Sequence, residues 1–157
     1  MTVTALDALP DVPSAAAATA AQQPIRFWFR DRLVAVHQAE PTRTVLDWLR
    51  EDSRATGTKE GCNEGDCGAC TVVIGELGHD ATGGAAAPRL QLRPMNACIR
   101  FLPTLHGKAL FTVEDLKTIA GDRLHPVQQA MVDHHGSQCG FCTPGFVMSL
   151  WSTYENN

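Results

Sequence analysis

Three cysteines and three glycines crowd into the ten residues 61–70, GCNEGDCGAC, and a further pair stands in QCGFC at 138–142. Cys62, Cys67 and Cys70 run C-x4-C-x2-C, Cys98 follows with residues 71–97 between, and Cys139 and Cys142 form C-x2-C. Thiolates are soft ligands and nucleophiles, so six cysteines mean disulfides in an oxidising compartment and metal or redox chemistry in a reducing one. The N-terminus decides between them. MTVTALDALPDVPSAAAATAAQQP places Asp7 and Asp11 ahead of its first basic residue, Arg26, whereas a secretory signal needs a positive region first. The expectation is a cytoplasmic protein with reduced cysteines.

The order C-x4-C-x2-C with a distant fourth cysteine is the ligand spacing of a plant-type [2Fe–2S] site. Four thiolates must converge on one iron–sulfur rhomb, three of them from a loop wrapped around it. Such a wrap turns backbone N–H groups toward the sulfurs and disperses their charge. Side chains would obstruct it, which gives Gly61, Gly65 and Gly68 a purpose, with φ > 0 expected at some of them. A structural zinc site would more often show two short C-x2–4-C knuckles, and a disulfide is disfavoured by compartment. Around the loop, Lys59, Glu60, Asn63, Glu64 and Asp66 read as its solvated surface, the sharper alternative being tuning of potential or docking of a partner.

The elements that position these groups are legible from residue patterns. IRFWFR and LVAVH are β-prone runs separated by Asp31-Arg32, the spacing of a hairpin. TRTVLDWLRED places Val45, Leu46 and Leu49 at helical spacing behind Thr44 as N-cap. Strands are expected at 71–77, 89–94 and 108–113, with a small-residue surface loop over 78–88. GGAAAP at 83–88 precedes no helix and is a linker rather than a phosphate cradle. From Glu114 onward VEDLKTIA, HPVQQAMVDHHG and TPGFVMSLWSTYE read as helices, the last two with Pro126 and Pro144 at their starts. The fold class is therefore α+β followed by all-α: a tail over 1–23, one domain over 24–112 and helices over 113–157.

Composition excludes several roles. A formal charge of −4 leaves no basic footprint for nucleic acid. No apolar run approaches the ~18 residues of a membrane span.

TGTKEGCNEGDCGACTVV, NACIRFLPTLHGKALFTVEDL and HPVQQAMVDHHGSQCGFCTPGFVMSLW together resemble the iron–sulfur region of the xanthine dehydrogenase family within the molybdenum hydroxylases. The likeness covers about residues 25–157 and is greatest to the small subunits of bacterial members. It implies a β-grasp ferredoxin-like domain, then the first part of a four-helix bundle that carries a second [2Fe–2S] cluster. It also implies FAD and molybdopterin elsewhere in the full enzyme, on a flavin domain and a molybdenum-binding large subunit. Electrons from purine hydroxylation would pass through the clusters to FAD and NAD+, and this chain alone would only carry them.

Cys139 and Cys142 would be half of the second site, completed in that family by a C-x-C pair on a later helix. Two cysteines cannot satisfy two irons. The expectation is one complete cluster site, one half-site and a chain that is part of a longer one, with Phe146, Leu150 and Trp151 lacking a partner face. Without the resemblance, C-x2-C is also compatible with a thioredoxin-like pair, though no strand precedes it, or with zinc held with His134 and His135. Adjacent helical side chains point roughly 100° apart, so those histidines read as polar-face residues. Three other readings remain: a related small subunit oxidising aldehydes or carbon monoxide, a free-standing ferredoxin, and a structural zinc protein.

Overall fold

The computed structural model describes residues 23–78 and 89–157. The tail over 1–23, apart from Gln23, and the small-residue loop after Gly78 fall outside the described residues.

Five strands form one mixed sheet: β1 (Ile25–Phe29), β2 (Arg32–Val36), β3 (Thr71–Gly78), β4 (Arg89–Asn96) and β5 (Ala109–Phe111), in the order β2-β1-β5-β3-β4. β1 and β5 are parallel, and the other neighbours are antiparallel. This order, with β1 and β5 parallel, is that of a β-grasp sheet, the fold the resemblance implies. The hairpin turn sits one residue earlier than the pattern suggested. Phe29 pairs with Arg32, which leaves Arg30-Asp31 as the loop, and Arg30 takes φ +59. Apolar alternation decides the register, because Phe27 and Phe29 must share the buried face.

The helix after β2 starts as α1 (Val45–Asp47) and relaxes into a π turn over Trp48–Asp52. Thr44 Oγ1 accepts from Asp47 N at 3.1 Å while Thr44 N donates to the Asp47 carboxylate at 3.3 Å, a reciprocal cap that fixes the start. Val45, Leu46 and Leu49 are fully buried against Phe27, Phe29, Val72, Ile74 and Leu110. Trp48 meets the rings of Phe27 and Phe29 edge-on at 5.0 and 5.2 Å.

The remaining helices, α2 (Asp115–Ile119), α3 (Pro126–Asp133) and α4 (Thr143–Asn156), cover the other face of the sheet. Val73 of β3 shares a core with Leu116, Val127, Val147, Met148 and Trp151, with Leu92 and Phe111 against it. β3 is thus buried on both faces, which explains why TVVI is a continuous apolar run rather than an alternating one. This corrects one expectation. Trp151 does not lack a partner face: it is buried against the sheet with its ring 5.3 Å from that of Phe111, and Leu150 packs on the same core. Phe146 alone of the three stays exposed. Among the described residues, no helix is long and apolar enough to cross a membrane.

Candidate metal centre

The segment 57–70 makes no regular element and is held from several sides. Lys59 N donates to Ala69 O at 3.3 Å, closing the loop at its base. Arg50 Nη1 donates to Thr58 O at 2.9 Å, and Gly57 N to the Glu114 carboxylate at 2.7 Å. At the far end, Thr71 Oγ1 donates to Gly68 O at 2.7 Å and Asn96 Nδ2 to Gly65 O. The loop is therefore anchored by the π turn, by β3 and β4, and by the start of the helical region.

The backbone is turned as a wrapped loop requires, with φ positive at Asn63 (+57), Gly65 (+86) and Gly68 (+72). Gly61 keeps an ordinary φ and serves differently: a Cβ there would stand 2.9 Å from Cys67 Sγ. At Gly65 a Cβ would also meet Ile99 Cδ1 at 2.8 Å.

The four cysteines of the first group gather as two pairs. Cys67 N donates to Cys62 Sγ at 3.3 Å, Glu64 N to the same sulfur at 3.5 Å, and Cys62 N to Cys67 Sγ at 3.4 Å. Cys70 and Cys98 stand with their sulfurs 3.4 Å apart, far beyond the ~2.05 Å of a disulfide. Cys98 arrives on a segment that α1 holds: Val45 N donates to Arg100 O at 2.8 Å and Leu46 N to Ala97 O at 3.1 Å, while Ala97 N donates to Cys70 O at 3.2 Å. The orphan N–H groups of a helix start are thus spent on fixing the fourth cysteine.

Environment separates the pairs. Cys70 and Cys98 are buried, whereas Cys62 is half-buried and Cys67 exposed. The N–H groups of Cys67 and Glu64 stabilise the Cys62 thiolate and lower its pKa to about 7, against the opposing effect of burial. Burial, and then the neighbouring Cys70 thiol, push Cys98 up to about 11. Among the described residues no three His, Cys, Asp or Glu side chains surround one point as a single metal ion needs. Two pairs of thiols suit a centre of two irons, each taking two cysteines. N–H donors aimed at sulfur and a bare Cα beside Cys67 match what such a cluster requires of its shell.

Cys139 and Cys142 are free and exposed on the turn into α4. Ser137 Oγ and Thr143 Oγ1, 2.7 Å apart, pin that turn. His134 caps the end of α3 and His135 follows it at φ +51, so neither is the helical polar-face residue expected. Both are exposed, as are Glu64 and Asp66, while Glu60 pairs with Arg50 at 3.5 Å.

Two residues that pattern reading passed over lie between the cysteine groups. Gly145, buried in the first turn of α4, sits so close to the loop that a Cβ would overlap the Gly68 carbonyl oxygen. The ring edge of Phe141 lies 3.4 Å from where a Gly61 Cβ would be. The signal available was a glycine inside a helical pattern just after Pro144, which costs stability unless something approaches closely.

Comparison with known proteins accords with this geometry. Residues 30–101 match the family described as 2Fe-2S iron-sulfur cluster binding domain, and residues 112–157 the family described as [2Fe-2S] binding domain. The chain is 40% identical over 131 residues to aldehyde oxidase 1 of Oryctolagus cuniculus and 42% identical over 130 residues to xanthine dehydrogenase of Calliphora vicina. Each match takes in 83% of this chain but 9% of the relative, so the chain spans about a tenth of those proteins' length. Among solved structures it resembles quinoline 2-oxidoreductase from Pseudomonas putida 86, with TM-score 0.66 and 31% identity over 85% of this chain and 71% of that one. The aldehyde oxidoreductase of Desulfovibrio gigas gives TM-score 0.67 at 29% identity, covering 86% of this chain and 13% of that one.

Proposed function

The chain belongs to the iron–sulfur portion of the molybdenum hydroxylases, and from that membership we propose that it is the electron relay of such an enzyme. Cys62 and Cys67 would hold one iron of a [2Fe–2S] cluster, and Cys70 and Cys98 the other. When bound, that cluster supplies a one-electron redox centre. The chain's own residues hold the four thiolates, donate N–H groups to Cys62 and Cys67, and keep water from the Cys70–Cys98 side. Four thiolates leave no open position for substrate, so the role is transfer rather than binding.

Cys139 and Cys142 would supply half of a second cluster. FAD, molybdopterin and the large subunit that holds the latter are proposed partners of the assembled enzyme, working in the cytoplasm, where thiols stay reduced. Xanthine is the substrate proposed for that enzyme, and an aldehyde is the second reading, favoured by the near-equal identity to relatives of both kinds. Reducing the assembled enzyme anaerobically with xanthine or with an aldehyde separates the two.

The observation that carries the relay reading is the pairing of the thiols, with three N–H groups on one pair and a 3.4 Å sulfur separation in the other. It is tested by iron and acid-labile sulfide per chain, on protein made anaerobically. Equal amounts, with loss of the complete site in Cys98→Ser, are expected. Stoichiometric zinc without sulfide would overturn the relay.

A further inference from the structure

The turn that carries Cys139 and Cys142 is seated directly on the first cysteine loop, through two contacts of different kinds. One is backbone against backbone: the bare Cα of Gly145 admits the Gly68 carbonyl, whose oxygen also accepts from Thr71 N at 3.1 Å and Thr71 Oγ1 at 2.7 Å. That carbonyl cannot swing away without breaking both bonds. The other is a ring over a gap. Phe141 Cε1 and Cys67 Sγ lie 3.4 and 2.9 Å from one point above the Gly61 Cα, so ring edge and thiol flank the same bare backbone. Cys67 is the exposed member of its pair, and Phe141 is itself 47% exposed, so the ring lies at the surface beside it.

We propose that Phe141 and Gly145 are positioning residues of the first cluster: the ring shields the Cys67 side of the loop from water, and Gly145 lets α4 approach closely enough to hold it there. The inference rests on the reading that Cys62, Cys67, Cys70 and Cys98 bind a [2Fe–2S] cluster, and it deepens that reading by giving the 139–145 turn a task at the first site. One consequence is that the two cysteine groups are mechanically joined. A rearrangement at Cys139 and Cys142 would be transmitted to Cys67 through a rigid turn only a few residues long.

The test uses this chain loaded with its first cluster and reads the reduction potential and the visible circular dichroism, neither of which needs enzyme activity. Phe141→Ala admits water beside Cys67. Water stabilises the more negative reduced state, so the potential is expected to rise, with a changed dichroism spectrum and unchanged iron content. Phe141→Leu restores apolar cover and should return most of the shift. Gly145→Ala should move both readouts in the same direction by displacing the turn, and Val132→Ala, on the exposed side of α3, should move neither. Should Gly145→Ala fail to fold, the half-exposed Phe141 pair still decides the matter. Wild-type potential and spectrum in Phe141→Ala, or an equal shift in Val132→Ala, would overturn the proposal while leaving the cluster reading intact. A wild-type chain that binds no iron would overturn both.

Discussion

At the scale of single residues, glycine does two separable jobs in the cysteine loop. A Cβ at Gly68 would meet only Thr71 Oγ1, at an ordinary 3.7 Å, but φ is +72, so the cost of a side chain there is conformational. Gly61 has ordinary φ, and its cost is collision with Cys67 Sγ. Gly68→Asn should be mild, because asparagine tolerates the left-handed region, while Gly68→Ala should cost about 1–2 kcal/mol. Gly61→Ala should leave the unloaded chain folded yet lower iron retention, because the methyl group displaces a thiolate rather than straining the backbone. Thermal unfolding with and without iron distinguishes the three. A second residue-scale prediction concerns Glu76 on β3, which Lys108 Nζ approaches to 2.6 Å. The hydrogen bond from Lys108 lowers the carboxyl below the usual glutamate value of 4.5, outweighing its partial burial. A lowered folded pKa stabilises the fold above the unfolded value and loses that contribution as pH falls through the folded one. Lys108→Ala should therefore cost about 0.2–1 kcal/mol at pH 7 in urea unfolding, as partly exposed pairs do, and the difference from wild type should shrink as pH falls through the lowered folded pKa of Glu76.

At the scale of elements, what could be read beforehand was whatever local chemistry decides. The Thr44 cap, the hairpin, the strand at 71–77 and the helices after Pro126 and Pro144 all announce themselves within a few residues. The sheet order did not, because the parallel pairing of β1 with β5 joins segments some eighty residues apart. Nor did the double burial of β3: TVVI reads as a buried strand without saying which helices lie on each side. The cysteine spacing was legible because iron–sulfur geometry dictates it, whereas Phe141 and Gly145 were not, since their contacts are with residues far along the chain. The join between α3 and α4 is a further case. His125 Nδ1 accepts from Val127 N at 3.4 Å, so its proton sits on Nε2 and points to Glu155 Oε1 at 3.1 Å, the same oxygen that takes the Trp151 Nε1–H at 3.1 Å. Glu155→Ala leaves two buried side-chain donors, on His125 and Trp151, unpaired and should cost about 1–3 kcal/mol. Glu155→Gln still accepts and should cost less. Chemical denaturation of the two variants side by side checks the order.

At the scale of the whole molecule, the question is whether the ferredoxin-like sheet and the helical segment unfold separately. The sequence pattern places a boundary near residue 113, and independent units would predict two transitions. The packing argues otherwise. Val73, Leu92 and Phe111 of the sheet and Leu116, Val127, Val147, Met148 and Trp151 of the helices form one core, so removing the helices would bare an apolar sheet face. The cysteine loop is tied to both sides, to the sheet through Thr71 and Asn96 and to the helical region through Glu114 and Gly145. Loss of either half should therefore strip the loop of an anchor. Trp151 is the sharpest probe, being 3% exposed and edge-on to Phe111 across the boundary. Trp151→Ala should cost about 3–5 kcal/mol, the usual range for a large aromatic removed from a core. Because the core is shared, that loss should lower the midpoint of the far-ultraviolet signal and of the visible cluster signal together, on one transition in wild type and variant alike. If the helical signal melted early in the variant while the cluster absorbance kept its wild-type midpoint, the two halves would be independent, and the anchor from α4 would not support the first site.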